Sequence, residues 1–353
     1  MGQPGAVDQQ VSGPVEQLER IAFLLEAALE PSYRVRAFRT AARTLGARPA
    51  EELRERAALG TLRELPGIGE VTARVVVESL AGETSVYLRR LEATEGTPLD
   101  DAAVALAAAL RGDCHTHSDW SDGGSPIEEM ARAAAALGHE YLVLTDHSPR
   151  LTVARGLSAD RLIEQLDVVA RLNEELAPFR ILTGIEVDIL DDGSLDQSDD
   201  LLGRLDLVVA SVHSKLRMPR VPMTARLVAA ARNPHTDVIG HITGRNVTAQ
   251  GRGGKSRPES ELDPERVFAA CAESGTAVEV NSRPERQDPP KRLLRLALEA
   301  GCDIAIDTDA HAPGQLSWQP SGCERAARCG ATADRVINTR TADDLVAWTH
   351  RQG

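Results

Sequence analysis

The sequence predicts two parts, a small all-α head followed by a larger α/β body of parallel strand–helix units. From Gly112 onward, short apolar runs alternate with stretches of helical period, the pattern of a parallel sheet covered by helices. Six of the seven apolar runs carry His, Asp or Glu within their last two residues, and parallel α/β folds bind ligands at the C-terminal ends of their strands. The head is predicted by helical stripes before residue 95. A chain of 353 residues can bury a core in each part.

Composition narrows the function. Net charge is −13, which at face value argues against a nucleic-acid binder, but the charge is uneven. Between Arg20 and Arg90 twelve arginines face nine acidic residues, a balance of +3 that leaves −16 on the rest. A mildly basic head thus joins an acidic body. An acidic body can still take a phosphate ester, because bound divalent cations reverse the local field. No apolar run approaches the roughly 18 residues of a membrane span, and the N-terminal stretch has no basic-then-apolar signal pattern. The five cysteines are scattered without C-x-x-C spacing, which fits free thiols and a cytoplasmic location.

Residues 1–14 are polar with Gly and Pro and read as a disordered tail. Val15–Leu29 carries a helical apolar stripe closed by Pro31. In SYRVRAFRTAARTLG, Val35, Phe38, Ala41 and Leu45 alternate with Arg34, Arg36, Arg39 and Arg43, an apolar seam beside an arginine face. Pro66-Gly67-Ile68-Gly69 is a tight turn before another helix. Its glycines would leave backbone N–H groups open to a phosphate oxygen. This turn resembles the helix-hairpin-helix element of DNA-repair proteins, and residues 15–95 resemble the small DNA-binding domain of family X DNA polymerases. The resemblance implies DNA contact through Gly67, Gly69, Arg34, Arg36, Arg39 and Arg74. It does not extend to lyase chemistry, which needs a lysine amine, because the first lysine is Lys215. Residues 96–110, ending in DDAAVALAAAL, read as a linker leading into a helix.

The body, residues 111–353, opens with GDCHTHSDWSDG. His115 and His117 are two apart, so on an extended backbone both imidazoles leave on one face, suited to gripping one metal ion. Candidate strands continue through YLVLTDH, ILTGIEVD, LDLVVASVH, DVIGHI, TAVEVN and DIAIDTDAH. Each polar end has a plainer reading alone. Asp146 and His147 could cap a helix, Glu186 could pair with an arginine, and His213 or His241 could be a hydrogen-bonded core histidine. Jointly they are harder to explain so, since six of the nine histidines fall at predicted strand ends. His139, His235 and His350 do not, and read as structural.

GDCHTHSDWSDG, LTDHS, GIEVDIL, GSLD, SVHS, HITGR and DTDAH follow the order of the polymerase and histidinol phosphatase (PHP) domain, in the form attached to bacterial family X polymerases. That resemblance implies a distorted (βα)7 barrel with three divalent metal ions, Zn²⁺, Mn²⁺ or Fe. It assigns His115, His117, Glu186 and Asp309 to the first ion. Glu186, shared, joins His213 and His241 on the second, and Asp122, His147 and His311 hold the third. It implies phosphate-ester hydrolysis by a water activated between the ions. Arg245 is placed to grip a phosphate oxygen. Ser214, Lys215, Arg283 and Arg286 are further candidates for contacting substrate. Only about twenty residues separate head from barrel, too few for a polymerase palm, so no DNA synthesis is expected. The leading expectation is a phosphoesterase trimming DNA 3′ ends in repair, as a 3′–5′ exonuclease or 3′-phosphatase. A small-molecule phosphatase for histidinol phosphate or a nucleotide is the alternative, and a non-catalytic DNA-binding module the third.

Overall fold

The structure, a computed structural model, describes residues 12–93, 99–248 and 256–349. It divides into two compact units, Met1–Pro98 and Leu99–Gly353.

The described residues of the head form five α-helices: α1 (Pro14–Ala27), α2 (Ser32–Gly46), α3 (Ala50–Leu59), α4 (Glu70–Leu80) and α5 (Val86–Glu92). Pro14 opens α1 because its fixed φ suits the first helical position, where no N–H is needed. The tail expected over 1–14 therefore ends sooner, and its first eleven residues lie outside the described ones. The apolar stripes converge as their period requires, with Leu18, Ile21 and Leu25 of α1 packed in one core with Val35, Phe38 and Leu45 of α2 and Val75 and Val76 of α4. Gly67 is needed on two counts. Its φ is +78°, and a Cβ there would lie 2.5 Å from Thr40 Cγ2 of α2.

In the second unit the Ala-rich segment forms α6 (Asp101–Ala109), capped by the Asp100 carboxylate, which accepts from Ala103 N–H at 2.9 Å. Its Leu106 is buried with Val280, Leu294 and Ile306, so this helix belongs to the wall of the barrel. Seven parallel strands run side by side in chain order: β1 (Gly112–Thr116), β2 (Tyr141–Leu144), β3 (Arg180–Asp188), β4 (Leu207–Ser211), β5 (Val238–Ile239), β6 (Ala277–Asn281) and β7 (Ile304–Asp307). The helices between and after them are α7 (Ile127–Ala136), α8 (Ala159–Leu176), α9 (Asp199–Leu202), α10 (Arg220–Ala231), α11 (Pro264–Ser274), α12 (Lys291–Glu299), α13 (Gln319–Ala327) and α14 (Ala342–Thr349). Strands covered on both faces must be apolar nearly throughout, and Leu142, Val143, Ile185, Val209, Val278 and Ile304 are all buried.

The ring is nearly closed, and its seam accounts for the distortion. β1 and β7 share no ladder, only an isolated bridge from Thr116 to Ala310. Side chains supply the missing partners. Gln319 Nε2 donates to Gly112 O (3.0 Å) and Ile306 O (2.8 Å), and Asn338 Nδ2 donates to the same two carbonyls at 3.2 and 3.1 Å. The Asp307 carboxylate accepts from Cys114 N–H at 3.0 Å. The backbone groups of an open edge are thereby satisfied without an eighth strand.

All five cysteines are free thiols. Among the described residues no helix is long and apolar enough to cross a membrane.

Candidate metal centre

The C-terminal ends of the strands deliver their polar residues to one point, and Glu186 stands at its middle. Its carboxylate lies between five imidazoles. Oε2 is 3.3 Å from His115 Nε2, 3.6 Å from His117 Nε2 and 2.9 Å from His147 Nδ1. Oε1 is 3.3 Å from His213 Nε2 and 2.9 Å from His241 Nε2. Asp309 Oδ1 is 3.4 Å from His117 Nε2. Asp122 Oδ1 faces His147 Nε2 at 3.4 Å and His311 Nε2 at 3.3 Å. All nine residues expected from the resemblance are therefore brought together.

Three subsets have ligand atoms within 4.8 Å of one another: His115, His117 and Asp309; His147, Glu186 and His213; and His117, Asp122, His147 and His311. These groups follow the expected allotment with four differences, since Glu186 is not grouped with the first set nor His241 with the second. His117 stands with the first and third sets, and His147 with the second and third. His117 has both ring nitrogens buried without a partner, and His147 turns Nδ1 to Glu186 and Nε2 to Asp122.

The donor set fits divalent cations. His115 Nε2, both nitrogens of His117, His147 Nδ1, His213 Nε2, His241 Nδ1 and Glu186 Oε2 are buried without a hydrogen-bond partner. Each such atom costs on the order of 1–3 kcal/mol unless something satisfies it. Inward-facing imidazole and carboxylate lone pairs suit Zn²⁺, Mn²⁺ or Fe²⁺.

The electrostatics of the donor set is correspondingly strained. Burial alone would lower His115, but Glu186 and Glu279 overturn that and hold it well above the usual histidine range. Burial pushes Glu186 up, yet His115, His213 and His147 bring it well below the carboxylate range. His117 falls well below the histidine range through burial and repulsion from His311 and His147.

Local structure holds the ligands in place. Gly123 lets the chain after His117 fold back, since a Cβ there would lie 2.6 Å from the Ser118 carbonyl carbon. Asp146, which could have capped a helix, instead ties that turn down. Its carboxylate accepts from Ser118 N–H (2.8 Å), Ser118 Oγ (2.6 Å) and Gln165 Nε2 (2.7 Å). Asp309 adopts φ +53°, a left-handed conformation of the kind that collects at functional sites.

Three contributors went unnoticed in the sequence. Glu279 Oε1 lies 2.5 Å from His115 Nδ1, and Asp188 pairs with His213 Nδ1. A carboxylate on Nδ1 fixes the imidazole tautomer and leaves Nε2 free to ligate. The available signal was an acid inside an otherwise apolar strand, Glu279 in AVEVN and Asp188 two residues after Glu186. The third is Arg257. It borders a cleft of about 390 Å³ with Asp122, His147, His213, Asp309 and His311, beside Arg283, Arg286, Asn246, Glu285 and Leu151.

The expected substrate contacts are distributed differently. Arg283 and Arg286 do line the cleft, with Arg286 Nε 3.1 Å from Asp309 Oδ2 and Arg283 Nη1 3.1 Å from His311 Nδ1. Arg245 does not. Its guanidinium donates to the carbonyls of Arg286 (3.0 Å) and Gln287, so it braces the loop that carries Arg286. Lys215 is exposed and paired with Asp191, and the Ser214 carbonyl accepts from buried Arg226 at 3.0 Å. Neither borders the cleft.

In the head, acids claim most of the expected DNA-contacting arginines. Arg39 makes a bidentate pair with Glu26, both bonds 2.8 Å, tying α2 to α1. Arg34 pairs with Glu30 and donates to Tyr87 Oη at 2.7 Å, and Arg74 pairs with Glu70 at 3.1 Å. Arg36 is exposed and has no such partner among the described residues. Gly69 N–H is taken by Thr72 Oγ1 at 2.9 Å, while Gly67 lies exposed at the turn.

Comparison with known proteins gives two family matches, a PHP domain over residues 113–283 and a helix-hairpin-helix domain over residues 12–85. The chain is 37% identical over 242 residues to the DNA polymerase/3′-5′ exonuclease PolX of Bacillus subtilis, covering 69% of this chain and 41% of that protein. It thus spans less than half the length of that relative. It is 31% identical over 238 residues to a protein of Thermoanaerobacter sp. (strain X514) named a probable phosphatase, covering 64% of this chain and 89% of that one. A solved structure, histidinol phosphate phosphatase from Lactococcus lactis complexed with zinc, L-histidinol and phosphate, matches with a TM-score of 0.47 at 17% identity, covering 63% of this chain and 95% of that one.

Proposed function

Since the chain belongs to the PHP family of phosphate-ester hydrolases, we propose that it is a metal-dependent phosphoesterase acting on DNA 3′ ends, as a 3′–5′ exonuclease or 3′-phosphatase in repair. The observation that carries the chemistry is the set of nine ligand-type side chains gathered beside an arginine-lined cleft, six of them with a buried atom that lacks a hydrogen-bond partner. His115, His117, Glu186 and Asp309 would hold one divalent ion. Glu186, His213 and His241 would hold a second, and Asp122, His147 and His311 a third. Such ions supply a water nucleophile near neutral pH and neutralise charge developing on phosphorus.

The chain's own residues do the rest. Glu279 and Asp188 keep His115 and His213 in the ligating tautomer. Arg286 and Arg283 balance Asp309, whose carbonyl, 2.9 Å from His311 Nδ1, orients that imidazole. DNA as substrate rests on the helix-hairpin-helix head, with Gly67 and Arg36 as its open contacts, and on the exonuclease named in the Bacillus relative. The Thermoanaerobacter relative favours a second reading, a phosphatase for small monoesters.

The test supplies Mn²⁺ to purified protein with 3′-recessed or single-stranded DNA, histidinol phosphate and nucleotides. Product should form from DNA in wild type and not in His115→Ala or Asp309→Ala. Equal rates in wild type and variants remove the assignment. Turnover confined to small monoesters selects the second reading. Deleting residues 1–95 should weaken action on DNA while sparing a chromogenic phosphate ester.

A further inference from the structure

The arginines of the cleft are not equivalent. Arg286 is matched to the Asp309 carboxylate, and Arg283 is occupied by the Asp309 carbonyl at 3.1 Å, Glu285 at 3.6 Å and the Asp309 carboxylate at 3.7 Å. Arg257 spends only its Nε, which donates to Gly244 O at 2.5 Å. Among the described residues no carboxylate is paired with it, and residues 249–255 contain no Asp or Glu. The charge is nonetheless half-buried. Burial and then neighbouring Arg286 lower its pKa, opposed by Asp288, whose carboxylate already accepts from Thr243 Oγ1 at 2.8 Å. Arginine remains protonated under such pressure, so an anion is the missing partner. Its backbone is fixed to receive one. Arg257 and Asn246 exchange both N–H···O bonds at 2.9 Å, one two-residue rung of antiparallel sheet at the cleft's edge.

A phosphate at the metal centre would have its own source of neutralisation in the cations that the ligand set would hold. The remaining cleft, about 390 Å³ in all, falls in the size range of small-molecule sites. Leu151 adds an apolar side chain to its lining.

We infer that Arg257 binds a second phosphate of the substrate, one nucleotide to the 5′ side of the phosphate being hydrolysed, an inference that rests on the 3′-end reading above. The cleft then distinguishes a chain or nucleotide carrying two phosphates from a simple monoester. A bidentate guanidinium–phosphate contact of this kind is worth about tenfold to a hundredfold in kcat/KM.

The test uses two substrate pairs with the full-length, Mn²⁺-supplied protein: thymidine 3′-phosphate with and without a 5′-phosphate, and the dinucleotide TpT with and without a 5′-phosphate. Wild type should favour the 5′-phosphorylated member of a pair by tenfold or more. Arg257→Gln should collapse that ratio chiefly through KM, and Arg257→Lys should restore part of it. A folding defect would lower both members alike and leave the ratio intact. A wild-type ratio near one, or a ratio unchanged in Arg257→Gln, overturns the inference while leaving the phosphoesterase reading in place. If no substrate is turned over, that reading fails instead. Calorimetric binding of the same pairs then decides the inference alone, equal affinities overturning it.

Discussion

Replacing Glu279 by Gln tests whether the metal centre depends on a residue that is not a ligand. Glu279 is fully buried on β6 and faces only donors: His115 Nδ1 at 2.5 Å, the backbone N–H of His241, and Asn281 Nδ2 at 3.2 Å. A carboxylate can accept from all three, but a glutamine amide has one acceptor oxygen and one NH₂. If its oxygen stays with the His241 N–H, the NH₂ faces His115 Nδ1. The imidazole must then accept there and carry its proton on Nε2, where the lone pair is needed for a cation. If the amide is reversed, two buried N–H groups oppose each other across the His241 contact. Either arrangement costs about 1–3 kcal/mol, which corresponds to roughly tenfold to a hundredfold weaker metal binding. Zn²⁺ or Mn²⁺ affinity, measured by competition with a chromogenic chelator, should fall by that factor. Melting of the metal-free proteins separates this from a general loss of stability. Unchanged metal affinity in a folded Glu279→Gln protein would refute the reasoning.

Three further outcomes are expected. Burial pushes Asp237 up to about 8. A carboxyl raised above its unfolded value near 3.9 gives stability that is complete below that pH and is lost as pH rises towards 8. Wild type should therefore melt higher at pH 5 than at pH 9, and Asp237→Asn, which can still accept from Val208 N–H, should narrow that gap; an equal gap in both proteins contradicts the assignment. Gly156→Ala would place a Cβ 1.8 Å from Ser148 O and 3.3 Å from His147 O. It should cost about 1–3 kcal/mol or more in urea unfolding and weaken metal binding through His147, whereas an unchanged midpoint counts against so tight an approach. Finally, Mn²⁺ should raise the melting temperature by mass action on the folded state, and chelation should reverse it. No shift at saturating metal would mean that the unpartnered imidazoles do not ligate.

The sequence by itself determined the strand–helix alternation and the polar residues at the strand ends, because both are written in short-range order, and the resemblance those motifs carry supplied the barrel and the ligand set. Strand–helix alternation is a matter of period, and the polar residues ending TDH, GIEVD, ASVH and TDAH lie within a few residues of the apolar runs that place them. The same locality gave the head its stripes and its Gly67 turn. Tertiary structure alone decided which groups serve those ligands. Glu279 reaches His115 across 164 residues of chain and Asn338 fills the seam at Gly112 across 226, distances over which no periodicity carries information. It also reversed the order of the arginines. Arg245, four residues after a ligand in the chain, is drawn off by carbonyls, while Arg257, twelve residues further on, is left in the cleft without a paired carboxylate among the described residues. Position along a strand shows where a side chain begins. Its role depends on what else the fold brings within hydrogen-bonding reach, and in a low-dielectric site each buried charge must find a partner there.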